Sequence, residues 1–191
     1  MSDGPVRIRM GATDPPAWNS ATAGPVHECA DVDTPGRAAL GPLEFRPARP
    51  EDAAECVALR GQTRENAVSR ERLESLGITA QTWGEDIRTG ELPGHVCWAN
   101  GRMAGYCFGS RTDGEVVVLA LLPPFEAQGI GKALLHRVCN DLAALGHQRL
   151  FLGCSADPKS RSYGFYRHLG WRSTGEFDAR GDEILEYFPK P

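Results

Sequence analysis

Two glycines one residue apart, Gly129 and Gly131, stand where an apolar strand gives way to a helix. The stretch reads Leu119-Ala120-Leu121-Leu122-Pro123-Pro124-Phe125-Glu126-Ala127-Gln128-Gly129-Ile130-Gly131-Lys132. Glycine lets the backbone approach a ligand and turn its N–H groups toward it. The first N–H groups of a helix lack an intrahelical partner and carry partial positive charge. Together these features make a cradle for a diphosphate that needs no basic side chain, with Lys132 adding one charge in the first turn. Two other phosphate motifs are excluded. A GxGxxG fingerprint needs a third glycine where Leu134 stands, and a GxxxxGK[ST] loop needs glycine at Glu126 and Ser or Thr at Ala133.

A second constellation lies downstream, Phe165-Tyr166-Arg167-His168-Leu169-Gly170-Trp171. With both in place the chain resembles the GNAT superfamily of N-acetyltransferases. That family's coenzyme A motif, (Q/R)xxGx(G/A), lies between a central strand and a long helix. Here it reads Glu126-Ala127-Gln128-Gly129-Ile130-Gly131, matching at both glycines and at Pro123 just before it, but with Glu126 in the first position. The resemblance spans about residues 43–188. It implies that Leu119, Ala120 and Leu121 pair with the pantetheine arm of acetyl-coenzyme A like an added strand. It further implies that Ala127, Gln128, Gly129, Ile130, Gly131 and Lys132 hold the diphosphate, and that Tyr166 protonates the leaving thiolate. Two positions depart from the family. Lys159 stands where asparagine is common, and Gly153-Cys154-Ser155 where some members carry a glutamate base. The base is therefore open. Glu115 and His168 are alternatives, each also readable as a structural or solvated group. Glu65 and Asn66 fall in the family's acceptor wall, or in a solvated turn.

The chemistry of acyl transfer sets what such a site must do. An alkyl amine has a pKa of about 10 and must lose its proton before it attacks a thioester. Charge on the thioester oxygen needs a donor, for which a backbone N–H near Leu121 is placed, and the thiolate needs an acid. The expected activity is transfer of acetyl from acetyl-coenzyme A to a primary amine of a small molecule or peptide, by direct attack in a ternary complex. A relay through Cys154 is the minor route, since most buried thiols are inert. The alternative is a non-catalytic module that senses acyl-coenzyme A. A third is an interaction protein whose N-terminal arm binds a partner.

The elements that position these residues follow from pattern. Leu43-Glu44-Phe45-Arg46 alternates as a strand, and Arg49-Pro50-Glu51-Asp52 opens a helix. Residues 69–76 and 79–89 read as short helices capped by Ser69 and Thr79. Strands at 95–98 and 102–109 are joined by Asn100-Gly101, a hairpin turn signal. Residues 115–122 form an apolar strand suited to a sheet covered on both sides. Apolar residues at Ile130, Leu134, Val138, Leu142 and Leu145 mark a helix. A strand at 149–154, a helix at 160–169 and strands at 171–176 and 183–188 complete the domain. The fold class is α/β (α+β): one GNAT-like domain with a mixed, mostly antiparallel sheet, a central strand-helix-strand crossover, and helices on both faces. Residues 1–42, rich in Pro, Gly, Ala, Asp and Thr, read as a disordered extension, and residues 43–191 as the acetyltransferase domain.

Composition narrows the partners. The net charge of −4 argues against nucleic acid. The six cysteines form no CxxC pair and no zinc spacing, so no metal is expected, and reduced thiols suit the cytoplasm. No apolar run approaches a membrane span, and no secretory signal is present. A monomer and a homodimer fit equally well.

Overall fold

The computed structural model describes residues 41–190. The proposed N-terminal extension lies outside them up to residue 40. In chain order the described residues form β1 (Leu43–Pro47), a 3-10 turn at Pro50–Asp52, α1 (Ala53–Arg60), α2 (Arg70–Ser75), α3 (Ala80–Thr89), β2 (Gly94–Ala99), β3 (Arg102–Gly109), β4 (Val116–Leu121), a second 3-10 turn at Pro123–Phe125, α4 (Ile130–Ala144), β5 (Leu150–Cys154), α5 (Arg161–His168), β6 (Arg172–Phe177) and β7 (Glu183–Tyr187).

Local chemistry sets most boundaries. Ser69 Oγ accepts the Arg72 N–H at 3.2 Å and Thr79 Oγ1 accepts the Thr82 N–H at 3.1 Å, so both expected caps hold their helices. Asn100 and Gly101 take φ of 51° and 73°, the left-handed pair that a tight β2–β3 hairpin requires. Along α4, Ile130, Leu134, Leu135, Val138, Cys139 and Leu142 are buried. Leu145, expected in that stripe, is instead 42% exposed, because the helix stops at Ala144 and Leu145 is its cap.

Strands β1-β2-β3-β4 form one antiparallel sheet and β5-β7-β6 a second. Helix α4 carries the chain from β4 to β5. Trp83 of α3 packs on Tyr106 and Phe108 on one face, with ring centroids 5.6 and 5.4 Å apart. On the other face Gly109 leaves room for Leu142 and Val138 of α4, since a Cβ there would lie 2.8 and 3.0 Å from them. Helices therefore cover both faces, as the apolar strand at 115–122 requires. Among the described residues no helix is long and apolar enough to cross a membrane. The five described cysteines are buried and free.

One buried acid anchors the first turn. Asp52 accepts from Arg46 Nη1 and Nη2, each at 2.7 Å, and from the Arg49 N–H at 2.8 Å. Burial pushes its carboxyl up, but the Arg46 hydrogen bonds and the Arg49 amide outweigh that and hold it below the usual range. Asp52→Asn leaves Arg46 without its counter-charge and will lower stability by about 2–3 kcal/mol at neutral pH. A carboxyl with a lowered folded pKa stabilises above its unfolded value, about 3.9, and loses that contribution as pH falls through the folded pKa. Chemical denaturation of both proteins should thus converge at acid pH. Equal stability at neutral pH would refute the role.

Candidate active site

Among the described residues one isolated bridge joins the β4 side to β5. Glu115 bridges Phe151 in parallel, supported by the Phe151 N–H on Gly114 O at 3.3 Å. Beyond it β4 stays with β3 and β5 pairs with β7, so the two sheets part as a wedge. The Leu122 N–H bonds Ala104 O at 3.0 Å, on the β3 side. Backbone direction alternates along a strand, so Ala120 also faces β3, while Leu119 and Leu121 turn their N–H and C=O into the wedge. Their side chains point at α4. A Cβ on Gly131 would lie 3.3 Å from Leu121 Cδ1 and 3.8 Å from Leu119 Cδ2.

At the mouth of the wedge the chain turns through Ala127 at φ 58° and Gly129 at φ 80° before entering α4. The first hydrogen bond closing the helix runs from Ala133 N–H to Gly129 O at 3.0 Å. Among the described residues, the amides of Ala127, Gln128, Gly129, Ile130, Gly131 and Lys132 donate no hydrogen bond. Six consecutive unpaired N–H groups at a helix start are a donor array of the kind that can hold an anion. The two glycines serve different ends. Gly129 has open space around its Cβ position, so its left-handed φ is what requires glycine. Gly131 lets α4 approach Leu121 and Phe165, the latter 3.6 Å from a Cβ there. Gln128 Nε2 donates to Pro124 O at 2.9 Å and pins the turn, while Lys132 is exposed.

Glu126 is not idle. Its Oε2 accepts from Arg64 Nε at 2.9 Å, and from Arg161 Nη1. Glu65, from the same loop as Arg64, accepts the Arg161 N–H at 3.3 Å. The loop after α1, the turn before α4 and the start of α5 are thereby tied together.

Tyr166 sits on α5, whose Ser160 cap accepts the Tyr163 N–H at 3.3 Å. Its ring meets Phe165 and Trp171 edge-on, with centroids 5.1 and 6.1 Å apart. Burial pushes its phenol well above the ordinary tyrosine range, the nearby thiols of Cys107, Cys154 and Cys139 act the same way, and Arg60 opposes them. Those thiols belong to β3, β5 and α4. Among the described residues that hydroxyl makes no hydrogen bond, so it is a protonated donor without a protein acceptor. The Cys154 thiol is also raised by burial, which disfavours the thiolate a relay would need.

The model of the acetyltransferase (GNAT) family matches residues 58–171, more than half of the chain. The chain belongs to this family. No curated relative matches it. Among solved structures it is similar to the PaiA N-acetyltransferase of Thermoplasma acidophilum in complex with coenzyme A, with TM-score 0.65, 19% identity, and coverage of 78% of this chain and 99% of that one. It is also similar to YncA of Salmonella typhimurium, solved with its cofactor acetyl-CoA, with TM-score 0.59, 17% identity, and coverage of 79% and 96%. The GNAT acetyltransferase of Streptococcus pneumoniae gives 0.61 and 17%, covering 78% of this chain and all of that one. At these identities the likeness establishes the fold.

The GNAT motif residues thus converge on one wedge: Leu119 and Leu121 on its strand wall, residues 127–132 at its mouth, Tyr166 beside it. Ala120 lines the opposite face of β4. Asn66 holds φ 56° and gives its carbonyl to Arg60 Nη1 at 2.6 Å, so Glu65 and Asn66 brace the loop they occupy. His168 and Lys159 are exposed. Among the described residues no group of three or more His, Cys, Asp or Glu side chains could hold a metal. Sequence reasoning missed the pair Arg64 and Arg161. It also missed Asp182 and Asp178, which lie against Gly153, with Asp182 Cβ and Asp178 Oδ2 at 3.6 and 3.7 Å from its Cβ position.

Proposed function

We propose that this GNAT protein transfers acetyl from acetyl-coenzyme A to a primary amine of a small molecule or peptide in a ternary complex. The observation that carries the reading is the run of six unpaired amides at 127–132 beside the β4 edge that β5 leaves for β7. The donor set fits coenzyme A. The amides and Lys132 hold its diphosphate, and Leu119 and Leu121 offer one strand's worth of backbone hydrogen bonds to the amide-bearing pantetheine arm. Residues 43–191 form the catalytic domain.

The chain's own groups then do three things. The parted strands β4 and β5 hold the thioester between them. The Leu121 N–H stabilises charge on the carbonyl oxygen. Tyr166 gives its proton to sulfur as the C–S bond breaks and the N–C bond forms, and regains one from the nitrogen, so a neutral amine leaves as an amide and the thiol leaves protonated. The five buried free thiols suit a reducing, cytoplasmic setting.

Coenzyme A titrated into the full chain by calorimetry, followed by thiol release from acetyl-coenzyme A across an amine panel, tests the reading. Micromolar binding with amine-dependent release is expected. Binding without release from any amine would leave the sensing module as the answer, and absence of binding heat would remove both.

A further inference from the structure

Helix α5 carries the Tyr166 hydroxyl, yet none of its eight residues is fully buried. Phe165 and Tyr166 lean on the core, and Phe165 lies 3.6 Å from the Cβ position of Gly131. Apolar contact of this kind is non-directional. It holds the helix against the core but does little to fix how far it slides along it.

Charged links set the two ends. At the C-terminal end Arg167 Nη2 donates to Glu183 of β7. The N-terminal end runs against the ordinary preference. Arg161 is the first residue of α5, where the helix dipole disfavours a cation, and the first turn holds no acid of its own. The acids come from two remote segments. Glu65, in the loop after α1, presents Oε1 and Oε2 each 3.3 Å from the Arg161 backbone nitrogen. Glu126 accepts from Arg161 Nη1, and Arg64 Nε holds the same oxygen at 2.9 Å.

The Glu126 side chain is 17% exposed, against 57% for Arg64 and 49% for Arg161. Pairs with half-exposed guanidinium groups contribute little to stability. Nor does Glu126 suit anion binding. It stands one residue before the six unpaired amides, where a carboxylate repels the diphosphate they would hold. What the cluster does fix is register. It ties the residue before the donor array to the first residue of the helix on which Tyr166 stands five positions later.

We propose that Glu126, acting through Arg161, is a positioning residue for Tyr166. It sets α5 against the turn before α4, so that a thioester anchored at residues 127–132 meets the hydroxyl. This rests on the acetyl-transfer reading and on Tyr166 as its acid. Misplacing a reacting group by about 1 Å can cost about 100-fold in rate, so a slackened link is felt in turnover.

The test measures kcat and coenzyme A affinity in the full-length wild type, Glu126→Gln, Tyr166→Phe and the double variant. The acceptor is whichever of phenethylamine, lysine, cadaverine and an alanyl peptide gives the fastest thiol release. Glu126→Gln should lower kcat about 10-fold. Coenzyme A should bind it as tightly as wild type or tighter, because a repelling charge is gone and two guanidinium groups are released. A residue of merely structural use would weaken both together. In the Tyr166→Phe background the same substitution should cost less than about twofold, since nothing is left to position. Arg161→Gln should reproduce the kcat loss from the other side of the link even if Glu126→Gln does not fold, and Arg161→Lys should recover most of it. Wild-type kcat in Glu126→Gln or Arg161→Gln, equal losses from Glu126→Gln in both backgrounds, or loss of its coenzyme A affinity in step with kcat each overturn the proposal while acetyl transfer stands. Full activity in Tyr166→Phe removes the acid and this proposal with it. Coenzyme A binding with no turnover of any of these amines overturns the proposal and the transfer reading together.

Discussion

Tyr166→Phe will lower kcat about 100-fold while leaving the Kd for coenzyme A within about twofold of wild type, the range expected when a general acid is removed. The variant should fold as well as the parent, since the lost hydroxyl makes no hydrogen bond among the described residues and the ring keeps its contacts with Phe165 and Trp171. That separates a catalytic loss from a structural one. The pH profile supplies a second readout. An acid must be protonated to act, so activity falls as pH rises through its pKa. Burial raises the Tyr166 phenol, which moves that loss above the ordinary tyrosine value of about 10. Between pH 7 and about 10 the wild type should show no alkaline limb from this group. Full activity in the phenylalanine variant would place the acid elsewhere.

Gly131→Val will weaken coenzyme A binding by about 100-fold or more, about 2.8 kcal/mol, while Gly131→Ala will change it less than about threefold. The Cβ position sits 3.3 Å from Leu121 Cδ1 and 3.6 Å from Phe165 Cζ. Alanine asks a flexible leucine tip to move by a few tenths of an ångström. Valine adds two methyl groups with one favoured rotamer in a helix, and both walls must yield. Leu121 would carry its wedge-facing amide with it, and Phe165 would shift the neighbouring Tyr166. Overpacking at this point should also cost about 1–3 kcal/mol of stability. Calorimetry on the folded variant decides the matter, and wild-type affinity in Gly131→Val would show that the mouth of α4 does not hold the cofactor.

How much of this was legible beforehand follows from how local each signal is. The caps at Ser69 and Thr79, the Asn100-Gly101 turn and the stripe of α4 depend on residues within a turn of one another, and their elements form where the pattern puts them. The anion mouth was legible for the same reason, because unpaired amides at a helix start need no distant partner. The wedge was not, since it depends on β5 leaving β4 for β7, a choice among strands far apart in sequence. In the sequence Glu126 shows only as a departure from the GNAT pattern; its ion pairs were not legible, because Arg64 and Arg161 come from segments remote from the motif.

That triad makes position 126 non-portable. Two guanidinium groups share one acidic oxygen there, so exchanging Glu126 for the glutamine or arginine typical of the motif would leave like charges facing each other across the threshold of α4. Arg64 would lose its tether, and with it the segment carrying Glu65 and Asn66, the latter being the brace for Arg60. The three side chains act as one ion-pair cluster, so a lone swap at Glu126 is felt in all three segments it joins.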